Sequence, residues 1–347
     1  MVDKVLLKSK FRGSLFGVLV GDCCGAPFEG QLMDSGSKLV LKNYLDKLEG
    51  PFFKAPYKKF TDDTALTICV ADALLDSNGF SQKQLAKNFV LEYYKDPRRG
   101  YGAAVVDVFA KLRTSKIADP TGPAYAQFGG SGSYGNGAAM RVAPIALFCA
   151  NSDKTRLTHL VQDASLVTHT NLLGINGAIL QALAVRQCLQ LDPNSTLDKK
   201  KYLSELREDI VALEKKNDAE LDKDYNAYER QLNVVESLLD EKVESSDENV
   251  LNMLGHSAQA LYSVPTALFC FLKCTSGSLK DSNQSSFRNT LEYAISLGGD
   301  TDTIASMACA LSGAYFGESV VSENLLKHCE DADGIQNIAD KLFNSLE

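Results

Sequence analysis

The sequence predicts an all-α protein built as one domain, and three observations carry that reading. Apolar residues recur at three- and four-residue spacing almost throughout the 347 residues. Alternating Val/Ile/Thr-rich segments closed by hairpin turns are hard to find. No boundary or whole-domain repeat divides the chain, and an apolar content of 45% is ample for a sizeable core.

Taken in order, residues 11–20 carry a helical apolar face on which Gly13, Gly17, Gly21 and Gly25 fall at four-residue intervals. Small residues along one ridge let a second helix approach closely. The spacing then predicts helices over 65–75, 81–94, 105–112 and 138–149, with 34–56 left as a loop, and a buried helix over 176–189. From 198 to 251 the composition turns charged. Even so, Leu203, Leu206, Ile210 and Leu213, then Tyr225, Tyr228, Leu232, Val235 and Leu239, keep helical spacing, which predicts amphipathic outer helices joined by a polar turn at 216–219. A last apolar run ends near Phe316.

The charge balance excludes some functions. With 44 acidic against 36 basic residues the net charge is −8, which argues against broad nucleic-acid binding. Nine cysteines without a CxxC pair read as reduced, buried thiols in a reducing compartment. The opening residues lack a long apolar core, and the apolar runs 142–150 and 264–272 are far short of a membrane span, so neither a secretory signal nor a membrane helix is expected.

Two segments concentrate acid where a helix should begin: Thr61-Asp62-Asp63-Thr64 before one apolar run, and Asp300-Thr301-Asp302-Thr303 before another. Either could simply cap its helix, because Asp and Thr satisfy orphan N–H groups and favour the positive end of the dipole. A cap needs one oxygen, however, and each segment supplies two carboxylates and hydroxyls with no His or Cys. Such hard oxygen donors suit Mg²⁺ or Mn²⁺ over Zn²⁺, provided that the two segments meet in space. Gly298-Gly299 would let backbone or ligand come close.

The run Phe128-Gly129-Gly130-Ser131-Gly132-Ser133-Tyr134-Gly135-Asn136-Gly137 formally contains a dinucleotide fingerprint. No buried strand precedes it and no Gly-Lys-Ser/Thr follows, so neither a Rossmann loop nor a P-loop is expected. What survives is flexible backbone N–H leading into a helix start, which favours an anion such as pyrophosphate, with Phe128 and Tyr134 as a stacking surface for a base. An ordinary flexible loop fits the same residues. Glu29, in a loop after the first helix, could serve as a movable acid, base or gate, or be merely solvated. His169 could touch a ligand or be structural, and Arg98-Arg99 could reach phosphate or form a solvated turn.

On these residues the chain resembles the ADP-ribosylglycohydrolase family. The likeness runs through Phe11-Arg12-Gly13, Gly21-Asp22-Cys23, both acidic segments, Arg99-Gly100-Tyr101-Gly102-Ala103, Ala139-Met140-Arg141-Val142-Ala143, Asn176-Gly177-Ala178 and Ser263-Val264-Pro265. The Gly132-Ser133-Tyr134-Gly135-Asn136-Gly137 run suggests its serine-directed subgroup over the arginine-directed relatives. The resemblance implies a compact domain of orthogonally packed helices with two Mg²⁺ ions at the base of an ADP-ribose cleft. By motif match, Thr61, Asp62, Asp63, Asp300, Asp302 and Thr303 would be the metal ligands. Gly132, Ser133, Tyr134, Gly135 and Asn136 would hold the diphosphate and neighbouring ribose, Phe128 would stack on adenine, and His169 would contact the ligand. Glu29 matches a loop acid that controls access and assists catalysis.

The implied activity is Mg²⁺-dependent hydrolysis of the O-glycosidic bond joining ADP-ribose to protein serine, and also of ribose–ribose bonds in poly(ADP-ribose) and of O-acetyl-ADP-ribose. The expected partners are ADP-ribosylated proteins, poly(ADP-ribose) and the ADP-ribose product, for a monomer of cytoplasm, nucleus and mitochondrial matrix. A water held at the site by Asp300 or a cation would attack C1 through an oxocarbenium-like transition state, with Glu29 moving the proton. Two alternatives stand beside it: a Mg²⁺ phosphohydrolase acting on a nucleotide pyrophosphate, and a non-catalytic crystallin-like or ADP-ribose-binding relative.

Overall fold

A computed structural model describes residues 2–51, 57–76, 79–217, 226–240, 246–275 and 285–346, and these form an all-α structure. No strand occurs among the described residues; two isolated bridges, Lys58 with Cys329 and Gly135 with Gln259, are the nearest approach to one. The helices are α1 (Lys4–Gly25), α2 (Ser35–Glu49), α3 (Asp62–Leu74), α4 (Gln82–Lys95), α5 (Ala103–Thr114), α6 (Gly122–Tyr125), α7 (Ala143–Phe148), α8 (Lys154–Leu166) and α9 (Leu172–Gln190). They continue with α10 (Lys199–Asn217), α11 (Ala227–Leu238), α12 (Asp247–Met253), α13 (Ala260–Cys274), α14 (Ser286–Ser296), α15 (Thr301–Phe316), α16 (Glu323–Leu326) and α17 (Ala332–Asn344).

At the centre lies α15, all of whose residues are buried. It can be enclosed because its length is made of Ala, Ser, Thr, Gly and apolar residues, which leave no charge to solvate beyond its first turn. α1 packs along it, and the glycine ridge is the reason for the closeness. A Cβ on Gly17 would stand 2.1 Å from the Cys309 carbonyl oxygen, and one on Gly21 would stand 2.4 Å from that of Ala305. Gly13 meets Gly313 and Gly317, and Gly25 meets Asp302, so the two helices run antiparallel with their backbones touching. This brings the end of α1 beside the start of α15.

Three expectations need correction. The stretch 34–56, read as loop, contains α2, which Asp34 caps through a 2.7 Å bond from the Ser37 N–H and which buries Leu41, Leu45 and Leu48. The helix expected over 138–149 is broken into a 3₁₀ turn, Asn136–Arg141, and α7, with Val142 between them. Pro144 has no N–H to continue a helix and is tolerated only in a first turn, so the chain must start afresh there. The turn expected at 216–219 begins later, since α10 runs to Asn217; the rest of it, with Tyr225, lies outside the described residues.

α10 and α11 are amphipathic as expected, burying Leu203, Leu206 and Ile210, and Tyr228, Leu232 and Val235. α9 is long and apolar enough to cross a membrane by length and composition, but 78% of its apolar window is buried inside the protein. It is a core helix. All nine cysteines are free thiols, and only Cys274 is more than slightly exposed.

Candidate active site

The two acidic helix starts meet. Thr303 at the head of α15 donates its hydroxyl to Asp63 Oδ2 at 3.2 Å, and Thr61 donates to the same oxygen at 3.2 Å from the other side. Capping accounts for only part of this arrangement. Thr61 Oγ1 caps α3 by accepting from the Asp63 N–H at 3.3 Å, which leaves both carboxylates of α3 unneeded for that task. Asp300 occupies the cap position of α15 but makes no capping bond. Its Oδ2 instead accepts from Asn136 Nδ2 at 2.6 Å.

Glu29 joins them from the turn after α1. One carboxylate oxygen from each of Glu29, Asp300 and Asp302 lies within 4.8 Å of the other two. The turn is fixed by Phe28, buried edge-on against Tyr44, and by the Gly30 N–H, which donates to the Gly299 carbonyl at 2.9 Å. Gly299 has φ +71° and its position would drive a Cβ to 2.2 Å from the His256 carbonyl oxygen, so a side chain there is excluded. In turn the Asp300 N–H donates to that carbonyl at 2.9 Å.

Asp22, quoted above only within a motif, turns out to organise the first acidic segment. Fully buried on α1, it accepts from the Thr61 N–H at 2.9 and 3.0 Å, the Thr64 N–H at 3.0 Å and the Thr64 hydroxyl at 2.6 Å. A charged residue interrupting an apolar helix was the one available signal. Arg99 is the second organiser. Its carbonyl accepts from the Asp62 N–H at 2.8 Å, while its guanidinium lies 3.9 Å over the Phe60 ring and bonds the Phe60 carbonyl and Glu330. It is buried structural mortar, neither a solvated turn nor a free phosphate contact; Arg98 is exposed.

So many acids in one place, largely out of water, are costly when ionised. Burial, reinforced by neighbouring carboxylates, pushes Asp62 up to about 7, Asp302 up to about 9 and Asp63 well above the ordinary range. Burial also raises Asp22 against the hydrogen bonds it accepts, and partial desolvation with the nearby Asp300 charge raises Glu29. Asp63 Oδ1 is buried with no hydrogen-bond partner among the described residues. An orphaned carboxylate oxygen among hard oxygen donors fits a divalent cation, which would satisfy it and offset the repulsion.

The glycine-rich segment borders the same cleft. Ser133, Gly135, Asn136 and Gly137 line it with Glu29, Asp62, Asp63, Asp300, Asp302, Thr303 and His169. Thr61, Phe128, Gly132 and Tyr134 stand behind or beside this lining. Gly132 has φ +71° and sits so close to the segment before α9 that a Cβ would stand 2.1 Å from Thr170 Oγ1. Part of the segment's backbone is spent on holding itself: the Gly132 N–H donates to Gln127, that of Asn136 to Ala258, and the Tyr134 carbonyl accepts from Ala260. The helix it enters is only the short 3₁₀ turn. Phe128 and Tyr134 are exposed, with ring centroids 6.2 Å apart and planes inclined by 31°. His169 is buried, with its Nδ1 2.7 Å from the Thr168 hydroxyl.

An all-α fold whose helix starts present carboxylates and hydroxyls to one cleft, with a glycine-rich rim, has a donor set that could hold a divalent cation. The family model described as ADP-ribosylglycohydrolase matches residues 3–347, and the chain belongs to that family. Among its relatives are the "ADP-ribosylhydrolase ARH3" of Mus musculus, 42% identical over 96% of this chain and 91% of that protein, and the ARH3 of Gallus gallus, 41% identical over 96% and 92%. A solved structure titled "ADP-ribosylglycohydrolase-related protein complex" superposes with a TM-score of 0.68 over 99% of this chain and 100% of its own, at 22% identity; it supports the fold.

Proposed function

We propose that this chain hydrolyses the O-glycosidic bond between ADP-ribose and serine on proteins, and acts also on ribose–ribose bonds of poly(ADP-ribose) and on O-acetyl-ADP-ribose. The observation that carries the reading is the joining of both acidic helix starts, through Thr303 and Asp63, in a cleft whose rim is the glycine-rich segment. The full-length likeness to proteins called ADP-ribosylhydrolase supports the substrate class.

Two Mg²⁺ ions would be held by Thr61, Asp62, Asp63, Asp300, Asp302 and Thr303, and when bound would supply charge compensation and a hold on ribose hydroxyls. The protein's own groups do the rest. Phe128 and Tyr134 offer faces to a planar base. Ser133 to Asn136 and His169 flank the diphosphate and the ribose next to it. Asn136 fixes Asp300 through the 2.6 Å bond, which leaves its second oxygen to hold the water that attacks C1 and to take that water's proton. Positive charge developing on the ribose ring is met by the surrounding carboxylates. Glu29, raised by burial and by Asp300, keeps a proton available for the departing serine oxygen at the cleft's mouth.

Product analysis on an ADP-ribosyl-serine peptide tests this directly. Free ADP-ribose, released with Mg²⁺ and not without it, is expected. Release of AMP would transfer the site to pyrophosphate chemistry, and binding without turnover would make the chain a binding protein.

A further inference from the structure

His169 reaches the cleft through an arrangement that no part of the reaction above requires. Arg141, on the 3₁₀ turn after the glycine-rich segment, is buried, and its hydrogen-bond partners among the described residues are carbonyls and a hydroxyl. Its guanidinium donates to the Gly137 carbonyl at 2.8 Å, the Ala164 carbonyl at 3.1 Å and the Thr168 hydroxyl at 2.7 Å, and rests 4.7 Å over the Phe89 ring. The same Thr168 hydroxyl lies 2.7 Å from His169 Nδ1.

The proton inventory decides the direction of that last bond. A guanidinium can only donate, so Thr168 Oγ1 must accept from Arg141. The hydroxyl then has one lone pair and one hydrogen left; accepting from an Nδ1–H would leave that hydrogen without an acceptor among the described residues, whereas donating it to Nδ1 satisfies both groups. An imidazole that accepts at Nδ1 carries its proton at Nε2. Nε2 faces the glycine-rich segment: a Cβ built on Gly137 would press on the ring at 3.0 Å from Cε1 and 3.2 Å from Nε2, one on Gly135 would touch Nε2 at 3.5 Å, and His169 lines the cleft with both.

We infer that Arg141 and Thr168 are positioning residues that lock His169 as the neutral Nε2–H tautomer, giving the cleft a fixed hydrogen-bond donor for its ligand. Burial and the nearby Arg141 charge depress His169 to about 3, so the ring stays neutral throughout the physiological range. A neutral donor suits a ligand oxygen beside a carboxylate-rich floor, where a charged imidazolium would be drawn to the acids instead. The identity of that ligand rests on the ADP-ribose reading; the tautomer does not.

The test separates the two. Long-range proton–nitrogen NMR of the full chain labelled at histidine should show His169 protonated at Nε2, bare at Nδ1, and unchanged from pH 5.5 to 8.5. Thr168→Val removes the hydroxyl at constant shape and should mix the tautomers and weaken ADP-ribose about tenfold, equivalent to about 1.4 kcal/mol; Thr168→Ser should restore both. A protonated Nδ1 in the unsubstituted chain, or a Thr168→Val variant with unchanged tautomer and affinity, overturns the inference, and the first readout needs no variant to fold. A locked Nε2–H tautomer in a chain that fails to bind ADP-ribose would uphold the inference and defeat the proposed function.

Discussion

The acidic side chains at this site differ in burial and in neighbours. Glu29 is the most exposed of the group and sits on a turn, near enough to Asp300 and Asp302 to share a cation with them; the proposed function gives it the proton transfer. Glu29→Gln should lower kcat on ADP-ribosyl-serine peptide by about 10²–10⁴ while leaving the ADP-ribose Kd nearly unchanged; a matching loss in Kd would place it among the binding groups. Asp22 is not among the residues that line the cleft and yet holds its first acidic segment by accepting from two N–H groups and a hydroxyl. Asp22→Asn puts an amide donor among donors. It should cost about 1–3 kcal/mol in chemical denaturation and weaken Mg²⁺ about 10–100-fold in a thermal-shift titration. Unaltered Mg²⁺ affinity would refute the supporting role. Asp62, Asp63, Asp300 and Asp302 were legible from residue type and spacing alone. Asp22 was not, because its partners lie about 40 residues away and a lone acid in an apolar helix does not say what it holds.

At the scale of elements, the contact of α1 with α15 sets the site's dimensions. Gly17→Ala would thrust a methyl group into the Cys309 carbonyl, with backbone on both sides unable to yield. A loss of about 1–3 kcal/mol is expected by urea denaturation, together with weaker Mg²⁺ binding, since Asp22 and Asp302 lie at the far end of the same seam. Normal cation affinity in a folded Gly17→Ala chain would show the seam to be structural only. The seam itself was readable from the four-residue glycine period, although its partner helix was not, because helix pairing depends on residues nearly 300 positions apart. α2 escaped because its three buried leucines are diluted by charged neighbours. The break at Val142 was present in Pro144, but the apolar run on both sides masked it.

Across the molecule, the carboxylates set how stability responds to pH. Acids raised in the folded state bind protons more tightly than they do when unfolded, so their contribution is fully present at low pH. It is lost as pH climbs through Asp62 near 7 and Asp302 near 9. Acids at the surface or partly buried that are lowered by hydrogen bonds or ion pairs, such as Asp34, Asp119 and Asp340, act oppositely and only at acid pH. Divalent cations compete with the site protons. The rise in Tm on adding Mg²⁺ should therefore be larger at pH 9 than at pH 6, and binding should release protons measurable by calorimetry in buffers of different ionisation heat. An equal Tm rise at both pH values would place the cation elsewhere.

The bond between Asp63 and Thr303 spans 240 positions. On a ribosome adding about 5–20 residues per second, the first acidic cluster therefore waits roughly 12–48 s for the second to be made. Throughout that interval the glycine face of α1 has no α15 to lie against, and any nascent chain stalled before residue 303 carries an open groove where the finished protein has its centre.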